Sequence, residues 1–152
     1  MNPFLGTHQN RRDAKGRVSV PAAFRAALKM PDGSAGLILR PSHNYACIEG
    51  WPLAVFDELG KPMDGLDLFS QKHDDMGAIL YGEAHQVEPD KEGRVLLPDS
   101  LVTFAGLGET VTFIGMRKIF HIWEPAAGAA FLAAARERAR TDGILRAATV
   151  AA

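Results

Sequence analysis

The sequence predicts an α+β chain, mainly β with short helices, whose two similar halves pack together as an intramolecular pseudo-dimer. Three observations predict this. The motif "DAKGRVSVP" at 13–21 recurs as "DKEGRVLLP" at 90–98, identical at five of nine positions, so that each half of the chain carries one copy. The same series of elements follows each copy. Either half alone is too short to bury a stable core. Two halves packed about a pseudo-twofold would cover each other's strand edges.

Each repeat opens on Asp-x-x-Gly, in which Asp accepts hydrogen bonds from nearby backbone N–H groups and Gly takes the positive-φ position. A short alternating strand follows, with Val18 and Val20, or Val95 and Leu97, on one face. Pro21 and Pro98 end the pairing, because proline has no N–H to give to a ladder. Next comes a short helix. In "AAFRAALK", Phe24, Ala27 and Leu28 share a face and Pro31-Asp32-Gly33 is the stop; in "DSLVTFAG", Gly106 is the stop. Apolar hairpins then turn at "RPSHN" and "GMRK". Pro52 and Pro125 open the last helix of each repeat. The boundaries expected are a first repeat at 4–59, an acidic linker segment at 60–77, a second repeat at 78–135 and a helical tail at 136–152. The tail reads as a solvated helix or an assembly contact.

Composition narrows the function classes. Hydrophobic residues make up 47% and charged residues 23%, the balance of a globular protein with a core. No apolar run reaches the ~18 residues of a membrane helix, and the first residues lack the pattern of a secretory signal. Cys47 is the single cysteine, so no disulfide forms within the chain and a cytoplasmic setting is expected. Phosphate-binding loops and nucleophile elbows are missing. The five histidines are scattered; His85 and His121 fall on predicted strands and read as packed or solvated. The Asp-Gly pairs lack the hydroxyl residue of an aspartic-protease motif, and Asp74-Asp75 read as solvated. Neither an enzyme nor a metal or other cofactor is expected.

Charge distribution points elsewhere. The net charge is −1, yet residues 1–40 hold seven Lys/Arg against two acids, while residues 41–80 hold two against seven. A partner feels the local field, within about 8–10 Å at moderate salt. Between residues 8 and 29 there are six cations and one acid; between 81 and 100 there are two cations and five acids. Asp90, Gly93, Arg94 and Pro98 therefore read as the structural signature of the repeat. Arg11, Arg12, Lys15 and Arg25 are charge that only the first copy carries. Arg17 is shared, so its residue-level reading stays open between a turn arginine paired with Asp13 and a ligand-contacting one.

"DAKGRVSVPAAFRAAL" and "DKEGRVLLP…FAGL…VTFIGMRKIFHIWEP" resemble the MraZ family of bacterial transcriptional regulators, from residue 4 to about 135. The resemblance implies two tandem AbrB-like swapped-hairpin β-barrel repeats. It implies a cytoplasmic, nucleoid-associated protein that assembles into a homo-oligomeric ring. The ring would bind direct repeats in double-stranded DNA upstream of the division and cell-wall gene cluster, repressing its own operon, with no membrane partner. It further implies that Asp13 and Arg17 are the Asp-x-x-x-Arg DNA-binding motif, that Lys15 is its usual lysine, and that Arg25 contributes to DNA binding. Arg11 and Arg12 are expected on phosphates. Arg12 departs from the family, which usually has an apolar residue before the motif's Asp. The rival readings are an adaptor that binds acidic proteins through the same basic face, and an antitoxin-type AbrB-like regulator with a toxin partner.

Overall fold

A computed structural model describes residues 3–29 and 36–143. The expected helix stop at residues 31–33 and the last residues of the expected tail lie outside them. The first repeat runs β1 (Thr7–Arg11), β2 (Arg17–Ser19), α1 (Ala22–Leu28), β3 (Leu37–Pro41), β4 (Ile48–Pro52) and α2 (Leu53–Leu59). A 3-10 turn, Lys61–Gly65, leads to α3 (Gln71–Tyr81). The second repeat runs β5 (His85–Val87), β6 (Arg94–Leu96), α4 (Asp99–Ala105), β7 (Thr110–Gly115), β8 (Phe120–Trp123) and α5 (Pro125–Asp142).

Six strands form an antiparallel sheet in the order β1-β7-β8-β4-β3-β5, and β2 pairs with β6 as a separate two-stranded ribbon. The halves are exchanged: β1 pairs with β7 of the second repeat, and β5 with β3 of the first. Twin residues meet at the pseudo-twofold, Val18 opposite Val95 in the ribbon and Glu49 opposite His121 in the sheet. The chain is thus an intramolecular pseudo-dimer with short helices, as its repeat predicts.

The expected barrels do not close. Edge strands β1 and β5 each have one sheet neighbour, and the ribbon strands have three residues each. Pro21 and Pro98 are the cause, since each becomes the residue before a helix and withdraws an N–H from the ladder. A side chain spans the gap where a ladder would run: Asn10 Nδ2 donates to the Ser19 carbonyl at 2.6 Å.

The core lies between ribbon and sheet. Val18, Val20, Val95 and Leu97 from the ribbon side meet Leu37, Leu39, Val111 and Phe113 from the sheet, with Phe24 and Leu101 from α1 and α4. Phe24 packs edge-on to Phe4, with ring centroids 5.2 Å apart. On the sheet's other face α5 covers Cys47, Ile114 and Trp123. Gly128 permits the close approach, since a Cβ there would stand 3.0 Å from that of Trp123. Burial pushes the Cys47 thiol up to about 12, which keeps it protonated and unreactive.

Part of the segment read as an acidic linker is helical. Ser70 caps α3 by accepting from the His73 N–H at 3.1 Å. The sheet grips the helix through Arg40, 1% exposed, whose Nη2 donates to the Ile79 carbonyl at 2.9 Å. Glu49 neutralises this buried cation at 2.5 Å. Asp74 and Asp75 are exposed, as their sequence context suggests. His121 is buried on β8, where it accepts from Trp123 Nε1 at 3.1 Å, and His85 is half-buried on β5.

Candidate nucleic-acid interface

The two Asp-x-x-Gly-Arg turns are built alike, because each sequence dictates the same hydrogen bonds. Asp13 Oδ1 accepts from the N–H groups of Arg17 (2.8 Å) and Lys15 (3.0 Å), and its Oδ2 accepts from Arg17 Nε (2.8 Å). Asp90 does the same with the N–H groups of Arg94 and Glu92, both at 2.9 Å, and with Arg94 Nε at 3.0 Å. Gly16 and Gly93 take φ values of +84° and +79°, a region that costs a residue with a Cβ. The backbone N–H of each turn's arginine holds its Asp below the ordinary carboxylate range, against a smaller opposing effect of desolvation. Asp13 therefore serves first as the linchpin of its turn.

Antiparallel pairing of β2 with β6 places the two turns at opposite ends of one ribbon. Period-2 alternation buries Val18 and Val95 and turns Arg17, Ser19, Arg94 and Leu96 outward. Leu96 is 59% exposed. This outward face unites the arginines of both repeats, a juxtaposition that the separate motifs do not reveal.

The cations expected at the interface have different surroundings. Lys15 is exposed at the first turn, and its ammonium has no ion pair with a described residue. Arg17 gives Nε to Asp13, and its two Nη groups make no hydrogen bond with described residues. Arg11 pairs with Glu109, although both side chains stay largely exposed. Arg12 folds back on its own chain. Its Nη1 donates to the Gly108 carbonyl at 3.1 Å, its Nε is buried without a partner among described residues, and its Nη2 lies over Gly16.

Arg25 belongs to the first repeat in sequence but to the second turn in space. Its Nη1 donates to the Glu92 carbonyl at 3.1 Å and lies over Gly93, where a Cβ would stand only 1.9 Å away. Each turn is thus roofed by an arginine, Arg12 over the first and Arg25 over the second. Acids already surround Arg94: Asp90 at 3.0 Å, Glu92 at 3.3 Å and Asp13 at 3.9 Å. Sequence reasoning missed Lys29 and Lys91, which line a groove with Arg25 beside the second turn. Their signal was the charge itself, hidden because it is split between two distant segments.

Among the described residues no group of three or more His, Cys, Asp or Glu is placed to hold a metal ion, and no helix is long and apolar enough to cross a membrane. Comparison with known proteins matches the chain twice, over residues 3–76 and 80–147, to the family described as "MraZ protein, putative antitoxin-like". Similar proteins include the transcriptional regulator MraZ of Gluconacetobacter diazotrophicus, 56% identical over 92% of this chain and 90% of that protein. The protein of the same name from Gluconobacter oxydans is 53% identical over 93% and 87%. That of Parvibaculum lavamentivorans is 43% identical over 91% and 86%.

Proposed function

The chain belongs to the MraZ family, and from that premise we propose that it is a transcriptional regulator that binds double-stranded promoter DNA through the β2–β6 ribbon and the first turn. The observation that carries this reading is the ribbon's outward face, with Arg17 and Arg94 at its two ends and Lys15 exposed beside Arg17. A two-stranded β-ribbon fits the major groove of B-DNA. There the Nη groups of Arg17 and the ammonium of Lys15 are suited to guanine O6 and N7. Arg11 and Arg25 contact phosphates, which position the protein without specifying sequence. Arg12, turned inward, orders the entry into the first turn.

A single chain with these few cations binds weakly. Several copies in a ring, each meeting one of a series of direct repeats, gain affinity by effective concentration. Such a ring upstream of the division and cell-wall gene cluster represses its own operon by occluding the promoter. It acts in the cytoplasm, on the nucleoid, without enzymatic chemistry.

Fluorescence anisotropy with duplex from upstream of the protein's own gene, a scrambled duplex and polyglutamate tests the reading. Tight, steeply salt-dependent binding to the first duplex is expected. Equal affinity for all three probes would overturn it in favour of an acidic protein partner.

A further inference from the structure

We propose that the groove between α1 and the second turn seats a phosphate of the DNA backbone, so that one chain grips the duplex at both ends of its ribbon. The inference deepens the duplex-DNA reading above and rests on it. It assigns a role to a turn whose sequence is acidic and whose motif looks purely structural.

One face of α1 carries Ala22, Arg25 and Ala26, and Lys29 continues it just past the helix, in an i, i+3, i+4, i+7 stripe. Across a groove of about 630 Å³ stands the second turn with Lys91 and Gly93. The two alanines leave the groove wide, and Gly93 leaves room for the Arg25 guanidinium. Arg25 uses Nη1 on a carbonyl of the turn and makes no other hydrogen bond or ion pair with a described residue. Lys29 and Lys91 are exposed, and neither has an ion pair with a described residue. The acids of the same turn are committed elsewhere, both to Arg94. The groove therefore presents three cations, while its two carboxylates are paired with Arg94 on the ribbon.

Its chemistry suits a phosphodiester more than a base. Flexible lysine ammonium groups act as point charges on phosphate, and the Arg25 guanidinium adds a third cation beside them. Its position suits a duplex. Three paired residues make a ribbon of about 10 Å, with Lys15 of the first turn at one end and this groove at the other. The major groove that the ribbon would enter is about 12 Å wide and bordered by a phosphate backbone on each side. The two cationic ends match those two borders.

The test combines Lys29→Ala with Lys91→Ala and measures binding to the upstream and scrambled duplexes over a salt series. Both lysines are exposed, so an unchanged melting temperature is expected. Affinity should fall roughly fivefold to tenfold on both duplexes alike, and the slope of log K against log salt should shrink by about one. Arg25→Ala should lower affinity in the same sequence-independent way, with some loss of thermal stability. Unchanged affinity and slope in the lysine variant, with wild-type protein still binding, would overturn the groove and leave the ribbon reading intact. A loss confined to one duplex would also overturn it, because the lysines would then read bases. Failure of the wild-type protein to bind any duplex would overturn both readings.

Discussion

The first and second turns share every backbone hydrogen bond that defines them, and they differ in the charge around their arginines. Asp13 and Asp90 each gather two backbone N–H groups and one guanidinium. Between Asp and Arg the chain places Lys15 in one turn and Glu92 at the equivalent position of the other. Arg17 faces one carboxylate and Arg94 faces three, of which the exchange supplies Glu92 and the other turn supplies Asp13. The lesson is that one backbone device serves two ends. A local motif sets the turn, and the residue at its tip helps to decide how many carboxylates the outward arginine is paired with.

Moving the first turn's charge toward the second's should break the comparison most severely. Lys15→Glu should lower affinity for the upstream duplex by well over tenfold, since it removes a cation and brings a carboxylate to a polyanion. Anisotropy at fixed salt reads the effect. Arg17→Ala should cost about 1–3 kcal/mol of binding and relax preference at the base it contacts. Arg94→Ala should lower the melting temperature more than it lowers affinity. Equal and small binding losses for the two arginines would erase the asymmetry.

The glycines sharpen the comparison on the stability side. Gly93→Ala should destabilise more than Gly16→Ala in thermal melts. Both force a Cβ into positive φ at roughly 1–2 kcal/mol, but only at Gly93 does the new Cβ collide with a guanidinium; at Gly16 the nearest atom is 3.5 Å away.

Acid should affect both turns in the same direction. Each Asp has a folded-state pKa depressed below its ordinary value of 3.8, so its contribution is fully present above the unfolded value. It is lost as pH falls through the depressed one. Melts between pH 5 and about 2 should show a shallower acid loss for Asp13→Asn and for Asp90→Asn than for the wild-type protein. The smallest effect belongs to Glu109→Ala. It frees Arg11 from an exposed ion pair worth no more than about 1 kcal/mol, so affinity should rise slightly with little change in melting temperature.

Much of the fold was legible because its signals are local. Asp-x-x-Gly-Arg, the prolines after each short strand, Gly106 in the left-handed region and the two hairpins all act within a few residues of themselves. Helix α3 was not legible. Its apolar residues Met76, Ile79 and Leu80 are few, and the bond that holds it comes from Arg40, 39 residues away from its acceptor. Barrel closure, implied by resemblance, failed against two prolines that were visible in the sequence but whose reach was not. Of the candidate site, Lys15 and Arg17 stand where the motif implied, at an exposed turn. Arg12 and Arg25 each also give one Nη1 to a carbonyl of the second half, a contact that no local motif signals.

By itself the sequence determined the repeat, the chemistry of each turn and the surplus of cations in the first copy, because these depend on short-range hydrogen bonding and on composition. Tertiary structure alone decided which charges stand together. Exchange of strands between the halves carried Arg25 across to Glu92 and Gly93, put Lys29 beside Lys91, and laid Arg17 and Arg94 on one outward face. Electrostatic attraction depends on distance through space, and a pseudo-twofold brings close what the chain keeps in separate halves.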